Sequence, residues 1–375
     1  MLAMDQLRGL AARFPDAEIY VACQTLNAEL YEACPYSVAV LPFDRRRFRK
    51  SAGYRREYLS RIRSLGVDVS VNSVFSRETL TDAIALASRA PIRVAWRGDN
   101  ARTKASKLRF LECFYTHVLD GVHAQSQEIH RNGCLLDFLG CGLADYGARI
   151  WLSATDDSFA DAMFRAHGLN PQDCIALFAG AQRPERTYYN YGEALRQAFP
   201  DKGVTVIALG SLADLELSGR NLDNWGGRSV NLCGETSIRG AAAILGRCRL
   251  GFGAETGAVH LATALGIPTV VLLGGGHFGR FMPYSHLQSA AVLPLDCFDC
   301  NWSCPFTRVH CVADVPPALL AKALRESWNG SSKEAKLFRP SIAPTSLSGD
   351  APLFDPSKVE APSDAHWVCL NHPCE

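Results

Sequence analysis

Short apolar runs alternating with amphipathic stretches organise this chain from its start. EIYVAC (Glu18 to Cys23), VAVLP (Val38 to Pro42), VDVSVNS (Val67 to Ser73) and IRVAW (Ile92 to Trp96) are β-rich and read as strands. Helical spacing of apolar positions predicts helices over Tyr54 to Leu65 and Arg77 to Ser88, between the second and third and the third and fourth of these strands. A second series begins near residue 172. CIALFAG (Cys174 to Gly180), VTVIALG (Val204 to Gly210), SVNLCG (Ser229 to Gly234), RLGFG (Arg249 to Gly253) and PTVVLLGGG (Pro268 to Gly276) read as strands. Helices are expected over Asn190 to Ala198, Ile238 to Arg247 and Ala258 to Leu265, and Ser158 to His167 reads as a first helix or hinge. Several strands of this series are nearly continuous apolar runs, as parallel strands covered on both faces require.

Strand and helix alternating in this way predict an α/β protein of two Rossmann-like parallel-sheet domains facing a cleft. The expected boundaries are 1–156 for the first domain, 157–328 for the second and 329–375 for a disordered tail rich in Ser, Pro and Ala. Cys369 and Cys374 in that tail read as spare thiols. Ligands of such sheets bind beyond the carboxyl ends of the strands, and glycine and polar residues gather there in the second series.

With 375 residues, 47% hydrophobic and 21% charged, the chain can bury two cores. A net charge of +1 supplies no global field for nucleic acid, which is not an expected partner. The basic run FDRRRFRK (Phe43 to Lys50) reads as a solvated loop, with weak attraction to an anionic membrane surface as its alternative. No apolar stretch approaches the ~20 residues that span a bilayer, and Met1 to Leu10 does not read as a signal peptide. The expected location is the cytoplasm, with the inner face of the cytoplasmic membrane as a second site. The 14 cysteines then read mostly as reduced thiols.

Chemistry concentrates in GFGAETGAVHLATALGIPTVVLLGGGHFGRFMPY (Gly251 to Tyr284). A strand ends at Gly253 and a helix begins near Thr256, so unpaired amides and the helix dipole create an anion site. Gly257 admits a close ligand, Thr256 can donate through its hydroxyl, Glu255 can accept from sugar hydroxyls, and His260 lies in the first turn. The competing reading makes Thr256 a structural N-cap and His260 a packed or solvated residue. Gly274, Gly276 and Gly279 also satisfy G-x-G-x-x-G, but RFMPYSHLQ follows in place of a nicotinamide-type helix and acid. Arg280 beside this loop suits a diphosphate better.

This segment resembles the signature of glycosyltransferase family 9, the heptosyltransferase family, in which Asp-Thr-Gly or Asp-Ser-Gly precedes His-Leu-Ala-Ala-Ala-Leu-Gly and Pro-Thr. The resemblance covers most of residues 1–328, with weaker matches such as QLRGLAARFPDAEIYV (Gln6 to Val21) in the first half. It implies the GT-B architecture and a nucleotide-sugar donor, plausibly ADP-heptose, held by the second domain. It further implies a glycan or glycolipid acceptor of lipopolysaccharide type at the first domain, and metal-independent inversion. Glu255 stands where the family usually has Asp, while Thr256, Gly257 and His260 match, and Gly275 belongs to the implied donor loop. Gly180 matches a strand-end glycine. Arg186, with Arg183 as its rival, falls near a basic phosphate contact, and Asp214 or Glu216 near a ribose-binding acid.

Family members open with a hydrophobic strand ending in Gly-Asp, and that aspartate is the usual candidate base. Here the match begins with the helix of Met1 to Phe14, so either a start about 15 to 20 residues upstream, a strand and its turn, or a catalytically crippled form is expected. Asp99 is then the acceptor-side candidate base. Arg77, Asp82, Arg97 and Glu128, also near element ends, read first as surface residues. Finally, Cys297, Cys300, Cys304 and Cys311 form C-x2-C-x3-C-x6-C, a density that suits structural zinc or iron as well as a reduced thiol loop. Against the transferase reading stand a non-catalytic sugar-nucleotide binder and a protein whose function rests on this cysteine loop.

Overall fold

The computed structural model describes residues 1–36, 38–120, 127–181, 183–330, 336–344, 347 and 351–359. Its elements in the first half are α1 (Gln6–Arg13), β1 (Ile19–Gln24), β2 (Val38–Phe43), α2 (Arg45–Lys50), α3 (Ala52–Ser64), β3 (Val69–Asn72), α4 (Thr79–Ala87), β4 (Ile92–Trp96), α5 (Ala105–Glu112), β5 (His117–Leu119) and α6 (Glu128–Phe138). The second half adds α7 (Ala154–Ala166), β6 (Cys174–Phe178), α8 (Tyr191–Ala198), β7 (Thr205–Ala208), α9 (Leu215–Trp225), β8 (Ser229–Asn231), α10 (Ile238–Leu245), β9 (Leu250–Ala254) and α11 (Gly257–Ala264). It closes with β10 (Thr269–Leu272), β11 (Gln288–Ala291), α12 (His310–Ala313), α13 (Pro317–Trp328) and β12 (Leu337–Phe338). Chain contacts divide these into two units. One is built from Gln6–Ser126 and His130–Leu143, the other from Met1–Asp5, Gln127–Ile129 and the chain from Ala144 onward.

The larger unit holds a seven-stranded sheet in the order β12-β11-β10-β9-β6-β7-β8, parallel at every pairing. Every residue of β6, β7, β9, β10 and β11 is buried, which explains their unbroken apolar runs. β11 (QSAA) and β12 (LF) carry too little hydrophobic signal to be read from sequence. β12 falls inside the segment read as disordered tail, and pairs Leu337 and Phe338 with Ala290 and Ala291. Cys369 and Cys374 lie outside the described residues. The described cysteines are free thiols apart from the disulfide-bonded Cys134.

In the smaller unit β1 pairs in parallel with β2, and β3-β4-β5 form a separate parallel sheet. Among the described residues β1 and β3 therefore each keep one unpaired edge. Val69 and Val71 of β3 stay 45% and 36% exposed. Leu41, Phe43, Phe48, Tyr58, Ile62, Leu80 and Ile84 pack into one core joining β2, α2, α3 and α4.

Two charged features differ from their sequence reading. The basic run is largely helical: Asp44 caps α2 by accepting from Arg47 N at 2.8 Å, and Phe48 points into the core. Arg45 and Arg49 reach Glu78 at 2.6 and 2.9 Å, joined by Arg102 at 3.3 Å. Burial opposes the Glu78 charge, yet these guanidiniums hold its carboxyl below the usual range. Arg77 and Asp82 are not surface residues. Both side chains are 0% exposed, and Arg77 Nε lies 3.0 Å from Asp82 Oδ1. Tyr115 and Asn72 also donate to Asp82 Oδ1, while Arg77 donates to the Trp96 carbonyl at 2.7 Å. A cation removed from water needs its counter-charge, and this network ties β3, α4, β4 and the start of β5 together. Asp82→Ala should cost about 3–5 kcal/mol by taking the nearer counter-charge from the buried Arg77 guanidinium, leaving it only Glu112 at 3.6 Å. Urea unfolding measures it, and a loss under about 1 kcal/mol would show that water reaches Arg77.

Candidate functional site at the switch point of the larger sheet

From β6 the chain lays β7 and β8 on one side, then crosses to place β9, β10, β11 and β12 on the other. The crevice beyond the carboxyl ends of β6 and β9 is where such a sheet accepts a ligand. Gly253 delivers the chain into it with φ 152°, where a Cβ would collide with the Phe178 carbonyl. Glu255 and Thr256 follow, and α11 starts at Gly257.

The Glu255 side chain is only 10% exposed and its Oε1 lies 3.1 Å from His277 Nδ1, while Oε2 is buried without a partner. Burial pushes its carboxyl above the usual carboxylate range, and the His277 hydrogen bond and the Arg186 charge pull against that rise. The neighbouring Thr256 is extended and makes no side-chain cap; its Oγ1 is also buried without a partner. Thr256 thus occupies the N-cap position of α11, as the competing sequence reading has it, but its hydroxyl does not cap the helix. His260 sits one turn on, its Nδ1 3.0 Å from Tyr284 Oη and its ring stacked on Tyr284 at 5.6 Å. Burial drives His260 down to about 3, so the imidazole is neutral and brings no positive charge to an anion.

The glycine loop lies against aromatic rings. A Cβ at Gly274 or Gly276 would run into the Trp302 ring, and one at Gly275 into Phe298. These glycines therefore admit aromatic rings of the cysteine loop. Asp299, Asn301 and Trp302 all take left-handed backbone, with φ of 66°, 47° and 61°. The Asp299 amide donates to the Gly275 carbonyl at 3.0 Å and holds the loop in place. Across the exposed side, the Arg186 guanidinium lies 3.7 Å over the Trp302 ring, a cation–π contact that fixes its direction. Arg183 is exposed, 3.7 Å from Glu185.

The remaining candidates take other positions. Asp214 caps its own turn, accepting from Ser211 N at 2.8 Å and Ser211 Oγ at 2.7 Å, and fills the space left by Gly180 and Gly210. Glu216 pairs with Arg220 on the surface of α9. Arg280 lies 3.3 Å from Glu128 and stacks near Phe281 at 5.0 Å, so its charge is already engaged. Asp99 belongs to the smaller unit, where its two oxygens accept from Ser76 Oγ at 2.8 Å and Ala101 N at 3.0 Å. Arg97, in that same unit, is exposed and bound to Asp120 at 2.8 Å.

Cys297, Cys300, Cys304 and Cys311 line one small cavity with Gly275, Phe298 and Trp302. Burial raises the thiols of Cys297, Cys300 and Cys311, Cys297 to about 11 and Cys311 to about 12, where a metal needs thiolates. Among the described residues no group of three or more His, Cys, Asp or Glu is placed to hold a metal ion. His277 and Trp302 escaped the sequence reading. No periodic pattern marks either, and both matter through partners distant in the chain.

Comparison with known proteins agrees with the family suggested by the α11 motif. The model of glycosyltransferase family 9 (heptosyltransferase) matches residues 82–309. A lipooligosaccharide heptosyltransferase 2 of Campylobacter jejuni is 27% identical over 99 residues, 26% of this chain and 31% of that protein's length. Among solved structures, the family 9 glycosyl transferase of Veillonella parvula has 18% identity and a TM-score of 0.65, covering 77% of this chain and 81% of its own. The ADP-heptose lps heptosyltransferase II of E. coli has 20% identity and a TM-score of 0.62, covering 88% and 95%. Both share the α/β GT-B fold class expected from the sequence. With a family match over more than half its length, the chain belongs to glycosyltransferase family 9, the heptosyltransferase family.

Proposed function

We propose that this protein is a glycosyltransferase that moves a heptose from an ADP-activated donor to a lipopolysaccharide-type or other glycan acceptor. One observation carries the reading: Glu255 Oε2 and Thr256 Oγ1 are adjacent, buried and unpartnered at the sheet's switch point. Unsatisfied buried polar atoms are costly, and a ligand at this strand-end position would complete both. Arg186, already oriented on Trp302, supplies positive charge near Glu255, and the amides at the start of α11 add theirs. The solved relative described as an ADP-heptose lps heptosyltransferase supports this choice of donor.

In the proposed step a base removes the proton of an acceptor hydroxyl, whose oxygen attacks the anomeric carbon from the face opposite the diphosphate. The carbon–oxygen bond to the diphosphate breaks with inversion, and the leaving charge meets Arg186 and the helix start. Asp99 is the proposed base, on the ground that it is a carboxylate in the loop after β4. No metal takes part. A structural zinc or iron at the four cysteines is a separate proposal, resting on four thiols around one cavity. It requires those sulfurs to draw together and lose their protons.

Arg186→Ala should weaken ADP binding about tenfold or more, because it deletes a charge-assisted contact. Calorimetric titration tests this, and unchanged affinity would remove Arg186 from the donor site. Glu255→Gln should depress transfer while ADP affinity survives; equal loss of both would make Glu255 a structural residue of the helix start. Protein purified without added metal should carry stoichiometric zinc or iron if the cysteines bind it, and a folded, active, metal-free preparation would exclude the site.

A further inference from the structure

The Glu255 carboxylate is divided between two tasks. Oε1 is held by His277 Nδ1 at 3.1 Å, and Oε2 is buried without a hydrogen-bond partner. The two residues come from different loops, after β9 and after β10, which are neighbours in the sheet. His277 is itself constrained: its ring lies 4.8 Å from that of Phe281 and meets Trp302 edge-on at 5.5 Å. An imidazole fixed in this way presents one nitrogen to one carboxylate oxygen. We propose that His277 is a positioning residue for the donor sugar, orienting Glu255 so that Oε2 accepts from a sugar hydroxyl; this rests on the donor-site reading above.

The physical case has two parts. A carboxylate with both oxygens unpartnered in this crevice could rotate or take up a proton, and a protonated acid would no longer offer two acceptor oxygens. The groups facing it are the His277 imidazole from the β10 loop, which hydrogen-bonds Oε1, and the Arg186 guanidinium from the turn at Pro184–Arg186. Both favour the ionised form against burial. Removing His277 leaves burial less opposed, so Glu255 would hold its proton to higher pH.

The readout is the sugar increment, the ratio of ADP to ADP-heptose dissociation constants, measured by calorimetry across pH 5 to 8 on the full chain. A purely structural pair would change ADP and ADP-heptose binding together. In His277→Ala the increment should fall about tenfold with ADP affinity unchanged, and its loss on acidification should begin at higher pH than in the wild type. His277→Asn keeps an N–H donor at the Nδ1 position and should restore most of the increment. An unchanged increment in His277→Ala, or equal loss of ADP and ADP-heptose binding in both variants, overturns the proposal. Wild-type protein that binds ADP but gains nothing from the sugar also overturns it, while leaving a nucleotide site intact. Wild-type protein that binds neither overturns the donor-site reading itself.

Discussion

Burial of the central strands on both faces decides where this protein can do chemistry. β6, β7, β9, β10 and β11 are buried throughout, so the backbone polar groups along them must find partners within the protein, chiefly on neighbour strands. Polar function is left with the residues just past the strand ends. At the switch between β6 and β9 those are Gly180, Glu255 and Thr256, and the turn to α11 turns backbone amides the same way. A carboxylate placed there leaves water without leaving the reach of a ligand, and its half-filled hydrogen bonding follows from that position.

The supports for this position come from far along the chain. The cysteine loop lends Trp302 and Phe298 to the glycine loop, and Trp302 in turn carries Arg186. Ring-on-glycine packing brings backbone and aromatic surface closer than any side chain at positions 274–276 would permit. The price is left-handed backbone at three non-glycine residues, a conformation kept only where surrounding contacts determine it. The cysteines are thus neighbours of the switch-point crevice through Trp302.

The sequence made some of this legible and hid the rest for physical reasons. Long apolar runs such as CIALF and TVVL announced their strands, because burial on both faces leaves a local signature. QSAA and HVL did not, since small or few residues suffice where neighbours provide the cover. Glu255 and Thr256 could be singled out by their place between strand and helix. The partner of Glu255 could not, because His277 reaches it across 22 positions of sequence through strand pairing. Arg77 and Asp82 looked like surface charges for the same reason: their burial comes from β4 and Tyr115 as well as from their own helix. The packing on the glycines could not be read either, since a loop for a ligand and a slot for an indole ring have the same composition.

The small unit carries a consequence of a different kind. β1 and β3 each end their sheets with a free row of backbone donors and acceptors among the described residues, and β3 shows Val69 and Val71 to solvent. Neither strand contains a lysine or proline, the residues that commonly blunt an edge. Such rows recruit any extended apolar segment that can match their direction, including one from another molecule while the chain is still folding. Self-association during refolding should therefore start in this half of the chain, and a charge at Val69 or Val71 would be the direct way to suppress it.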